Sequence, residues 1–136
     1  RQGFSMTTAH AGIASGVFSV TAHDRVVFGV PAGEAVVHEA ARYGASRVFI
    51  TSTRSLAKMN DGPLQQLERA LGTRHAGTYA AVSSHSPRED VVAGANAARA
   101  AKADLLVAVG GGSVIDATKA MQLCLWLGLD TVDAME

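Results

Sequence analysis

One stretch, Asp104–Lys119 (DLLVAVGGGSVIDATK), constrains the fold more than any other part of the chain. An apolar run from Leu105 to Val109 reads as a buried strand, because short continuous apolar segments suit a sheet covered on both faces. Gly110, Gly111 and Gly112 follow, then Ser113, and from there apolar residues recur at helical spacing to about Leu127. A strand, a loop without side chains and a helix N-terminus, in that order, make a place where an anion can approach bare backbone and first-turn N–H groups. In an open α/β sheet that place suits a nucleotide diphosphate.

The rest of the chain repeats the alternation. Phe18–Val20 and Arg25–Val30 read as a β-hairpin or two adjacent short strands around His23-Asp24. A helix is expected from about Gly33 to Tyr43, ended by Gly44. Arg47–Thr51 is the next strand, Ser52–Met59 a loop with a helical turn, and Pro63–Leu71 a helix entered through the turn residues Asn60-Asp61-Gly62. His75–Val82 reads as a strand. Ser86-Pro87-Arg88-Glu89 opens an alanine-rich helix to about Lys102, with Ser86 as cap and Pro87 as first helical residue. Strand and helix thus alternate four times, and this predicts an α/β, Rossmann-like, doubly wound and mostly parallel sheet with an N-terminal β-hairpin. Residues 1–16 are small and polar and are expected to form a disordered tail or cloning remnant, with residues 17–136 as one domain.

Lys plus Arg and Asp plus Glu balance at 12 each, so neither a nucleic-acid partner nor an acidic tail is indicated. The N-terminus does not read as a secretory signal, no apolar run reaches spanning length, and the single cysteine, Cys124, excludes an internal disulfide. A reduced, cytoplasmic setting is expected. No two of the five histidines stand at i,i+3 or i,i+4, so no metal site is expected in this chain.

The glycine loop differs from the usual dinucleotide fingerprint, since Ile115 stands where G-x-G-x-x-G needs glycine, and from a P-loop, since Lys119 follows Thr118. Gly110 to Ala120, GGGSVIDATKA, instead resembles the GGGSxxDxxKA signature of the iron-containing, or group III, alcohol dehydrogenases. FSVTAHDRVVFG, RVFITSTRSLA and SPREDVVAGANAARAAKADLLVAVGGGS resemble other parts of that family's N-terminal region. Ser52-Thr53 stands where many members carry Asp, and His85-Ser86-Pro87 resembles the HTP of the maleylacetate reductase branch. The resemblance implies the NAD(P)-binding domain of an oxidoreductase that reduces maleylacetate to 3-oxoadipate. It implies that Gly110, Gly111, Gly112 and Ser113 hold the pyrophosphate and that Asp116 lies toward the nicotinamide. Ser52 and Thr53 would lie at the ribose, with NADPH tolerated because no carboxylate repels its 2′-phosphate, and Ser86 and Pro87 would border the adenosine.

On spacing alone Ser113 and Asp116 also fit a capping box, and Ser86 a helix cap. The resemblance further implies that the metal ligands, for iron or zinc, and a threonine-rich nicotinamide segment belong to parts of the enzyme beyond Glu136. The chain is therefore expected to be a truncated domain without its helical C-terminal partner and inactive alone. A small carbonyl or unsaturated acid would be the parent enzyme's substrate. The closing helix, apolar almost all round, is expected to need a lost domain or another copy to cover it, hence a homo-oligomer. The alternatives are a nucleotide-binding or assembly module without activity, or a fragment of a dehydroquinate synthase-like lyase.

Overall fold

The computed structural model describes residues 8–9, 31–84 and 87–133. The expected hairpin at 18–30, the remainder of the tail, and His85 and Ser86 lie outside the described residues. Within the tail, Thr8–Ala9 form a two-residue strand, β1. The other elements are α1 (Ala32–Arg42), β2 (Val48–Thr51), α2 (Arg54–Ala57), α3 (Pro63–Leu71), β3 (His75–Tyr79), α4 (Arg88–Ala100), β4 (Leu105–Ala108) and α5 (Gly112–Leu127), with a short 3-10 turn at Gly72–Arg74.

The sheet order is β1-β4-β2-β3. β2 pairs in parallel with both β3 and β4, and β1 is antiparallel to β4. The three parallel strands confirm the α/β reading. From β2 the chain goes outward to β3, then crosses back to β4 on the other side of β2. Right-handed crossovers in opposite directions place their helices on opposite faces. The packing agrees. α1 and α3 cover Val48, Ile50, Leu105 and Val107, while α4 and α5 cover the alternate residues Phe49, Leu106 and Ala108. The period-2 alternation of a strand thus sorts one continuous apolar run into two cores.

Both helix pairs rely on small residues. A Cβ on Gly94 would lie 2.3 Å from Met121 Cε, so α4 and α5 approach over bare backbone. Ala95 and Ala98 are wholly buried beside it. Met121 and the thiol of Cys124 are buried in the same interface, and burial pushes that thiol's pKa up against the opposing charge of Arg99.

At the N-terminal end of the strands, Asp104 accepts hydrogen bonds from Ser46 N and Arg47 N, both at 3.0 Å. Arg47 Nε returns one to Ala101 O at 2.7 Å. These contacts fix how β2 and β4 start side by side.

Two details of the expected helices are corrected. α4 has Pro87 at its N-cap, with no side-chain cap, so Pro87 precedes the first helical residue and Glu89 cannot close a capping box. The Pro87 carbonyl accepts from Asp90 N and Val91 N instead. α5 is only partly uncovered. Val114, Ala117, Met121 and Cys124 are buried, while Leu123 and Leu127 are its exposed large apolar residues. Among the described residues, no helix is long and apolar enough to cross a membrane.

Candidate functional site

The loops after β2 and β4 leave the sheet toward opposite faces. In sheets of this order ligands bind outside the C-terminal ends of two such adjacent strands. Ser52-Thr53 follows β2 at that end and Gly110–Gly112 follows β4.

Gly110 has φ +150, a conformation L side chains rarely adopt, and a Cβ there would lie 2.7 Å from Val114 Cγ2. Its glycine is demanded by the turn. Gly111 and Gly112 are different, since a Cβ on either would meet nothing within 4 Å. Both are exposed. A side chain at either position would project into open space, so neither glycine is required by packing. Gly111 is the N-cap of α5, and its carbonyl accepts from Val114 N and Ile115 N. The first N–H groups of a helix have no intrahelical acceptor, and the helix dipole adds positive potential there.

The capping-box reading of Ser113 and Asp116 is corrected by this geometry. The cap is Gly111 without a side-chain bond, so Ser113 is the second residue of α5. Ser113 is half-buried, and Asp116 is exposed one turn further on.

On the β2 side the two hydroxyls have structural partners. Ser52 is wholly buried, and its Oγ donates to Val109 O at 2.8 Å. Thr53 is the N-cap of α2, its Oγ1 accepting from Leu56 N at 3.3 Å. Thr53 remains half-exposed and Arg54 beside it is exposed.

Asp90 was not singled out from sequence. Its carboxylate accepts from Ser83 N at 2.9 Å, Ser83 Oγ at 2.8 Å and Tyr79 OH at 3.2 Å. It therefore ties the first turn of α4 to the end of β3 and to the loop that leads toward Pro87. Burial pushes the Asp90 carboxyl up, but the bonds from Ser83 and Tyr79, with help from Arg54, outweigh it and lower its pKa. Burial and then the neighbouring Asp90 charge raise the Tyr79 phenol. An acidic residue in a helix's first turn was the available signal, though it reads equally as a dipole contact.

Among the described residues, no group of three or more His, Cys, Asp or Glu side chains could hold a metal ion. An open groove of about 750 Å³ between α1 and α3, lined by Pro31, Gly33, Val37, Pro63 and Gln66 among others, shares no residue with the glycine loop.

The strand order, the two-faced helix cover and the glycine turn define a Rossmann-like α/β domain. The profile of the family "Iron-containing alcohol dehydrogenase" matches residues 23–133, and the chain belongs to that family. It is 42% identical over 102 residues to maleylacetate reductase 2 of Cupriavidus pinatubonensis, covering 73% of this chain and 26% of that protein. It is 34% identical over 99 residues to the dehydrogenase FUM7 of Gibberella moniliformis, covering 72% and 23%. Among solved structures, maleylacetate reductase from Agrobacterium tumefaciens superposes with a TM-score of 0.65 at 34% identity, over 73% of this chain and 27% of that one. The enzyme from Rhizobium sp. gives 0.64 at 35% identity, again over 73% and 27%. The chain thus spans about a quarter of the length of the relatives it matches.

Proposed function

We propose that this chain is the NAD(P)-binding part of a maleylacetate reductase-like oxidoreductase, and that the parent enzyme reduces maleylacetate to 3-oxoadipate with NAD(P)H. The observation that carries the reading is the open space over Gly111 and Gly112 at the start of α5, in a chain of this family. The pyrophosphate would lie over Gly110–Gly112 and Ser113, its charge balanced by the helix N-terminus. Asp116, a turn further along, would lie away from the phosphates, since a carboxylate beside them is repelled. The bound dinucleotide would supply hydride.

Thr53 would lie at the adenosine ribose. Threonine carries no carboxylate there, so a 2′-phosphate meets no repulsion and NADPH is accepted at least as well as NADH. Ser52 would contribute through the strand end it holds. Ser86 and Pro87 would border the adenosine from the β3–α4 loop.

The described residues do not fit a metal, so iron or zinc, if the parent enzyme uses one, would be held by residues other than these. The substrate, a small carbonyl or unsaturated acid, would likewise meet its catalytic groups elsewhere, and these 136 residues alone would be inactive. Exposed Leu123 and Leu127 on α5 favour burial against further protein, which suits a homo-oligomer.

Titration of NADPH into the chain by calorimetry tests the reading. Weak saturable binding is expected. Heat no greater than for adenosine added as a control would overturn it, and maleylacetate-dependent loss of NADPH absorbance by the chain alone would overturn the inactivity.

A further inference from the structure

Three wholly buried hydroxyls surround the glycine turn: Thr51 and Ser52, adjacent at the end of β2, and Thr118 in α5. Each carries one proton, so their donors can be followed. Ser52 Oγ donates to Val109 O at 2.8 Å, the carbonyl directly ahead of Gly110. Thr118 Oγ1 donates to Val114 O at 2.7 Å, one turn back in its own helix. Thr51 Oγ1 lies 2.5 Å from Thr118 Oγ1 and 3.5 Å from Val107 O. With the Thr118 proton already on Val114 O, Thr51 donates to Thr118 across the shorter distance. Ser52 is itself fixed at both backbone atoms, its N–H to Tyr79 O at 2.9 Å and its carbonyl to Val82 N at 3.1 Å. Val109 N donates to Thr51 O at 2.9 Å.

We infer that Ser52, Thr51 and Thr118 are positioning residues that bracket the glycine loop from β2. Ser52 holds the strand that enters the loop, and Thr51 through Thr118 holds the helix that leaves it. The inference rests on the dinucleotide reading above and deepens it. Glycines at 111 and 112 give the loop no side-chain anchor of its own. Backbone N–H groups bind a pyrophosphate well only if already aligned, so something outside the loop must hold its two ends. A purely apolar contact would fill the same volume without fixing a direction, whereas a hydrogen bond fixes the carbonyl at each end.

The test uses four variants of the chain. Ser52→Ala removes the entry anchor. The double variant Thr51→Val/Thr118→Val keeps volume and removes both hydroxyls. The double variant Thr51→Ser/Thr118→Ser keeps the hydroxyls and loses the methyls. Val36→Ala, in the α1–α3 core, lowers stability away from the loop. NADPH affinity is read by calorimetry well below each melting temperature, and amide exchange is read at Gly110–Val114. Ser52→Ala and the double valine variant are expected to weaken NADPH binding about tenfold, the effect of one lost hydrogen bond's worth of alignment, and to speed loop exchange. The double serine variant and Val36→Ala are expected to bind as the wild type does. Unchanged loop exchange in Ser52→Ala, or equal weakening by Val36→Ala, would overturn the bracket. Should the wild type bind no NADPH, the functional reading falls, and loop exchange alone then decides the bracket.

Discussion

The loops after β2 and β4 leave the same end of the sheet side by side, and both carry residues that sequence reading assigns to the cofactor. They differ in what those residues have left to offer. After β4, Gly111 and Gly112 look onto open space. After β2, the Ser52 hydroxyl is buried and donates to Val109 O, while the Thr53 hydroxyl accepts from Leu56 N and pairs with Ser55 Oγ at 3.1 Å. A hydroxyl in a sequence is ambiguous because it bonds equally well to a ligand or to the chain's own backbone. A run of glycines is less ambiguous. Gly110 is explained by its φ, but nothing in the fold requires its two neighbours to be bare.

The largest effect should come from breaking the β4 loop itself. Gly110→Val combines a disfavoured backbone conformation with a contact on Val114, and is expected to cost about 3 kcal/mol of stability. Urea denaturation measures it, and a cost below about 1 kcal/mol would show that the turn can relax. Gly111→Val sharpens the contrast. It has room in the free chain, so stability should change by less than about 1 kcal/mol, while NADPH binding weakens at least tenfold because the side chain takes the ligand's place. Calorimetry giving equal affinities would remove Gly111 from the site.

On the β2 side, Thr53→Asp keeps a good helix cap and introduces a carboxylate at the exposed edge. The ratio of NADPH to NADH affinity should fall about fivefold, as expected of a partly solvated charge pair. An unchanged ratio would place the ribose elsewhere. The smallest effect concerns the loop after β3. Asp90→Asn should cost about 1 kcal/mol at pH 7. The native carboxyl has a lowered pKa, so its contribution is complete above the ordinary aspartate range and is lost as pH falls through the lower native value. The stability gap between wild type and variant should therefore close as pH falls below the ordinary aspartate range. A gap independent of pH would show that shape, not charge, holds Ser83.

How much of this could be read in advance follows from the range of the forces involved. β2, α3, β4 and α5 were legible because apolar period, Pro63 and the glycines are local signals. Strand order was not, since pairing β4 with β2 rather than β3 depends on residues some 57 apart in sequence, such as Val48 and Leu105. The glycine loop was legible as a bare backbone. The Thr51–Thr118 link was not, because a threonine in a strand and another in a helix each look like ordinary propensity choices until the fold brings their oxygens together. Gly94 likewise reads as a weak point in α4 until Met121 is seen against it.

Cys124 gives the α4–α5 interface a clock. The chain has one thiol, it is buried, and burial raises its pKa and so disfavours its thiolate. An alkylating reagent can react only when α5 lifts from α4, because the thiolate is the nucleophile and forms readily only in water. The labelling rate divided by that of the unfolded chain therefore reports the free energy of this single opening. Since α5 begins at Gly112, the same clock would register how far a dinucleotide at the helix's first turn steadies its whole length.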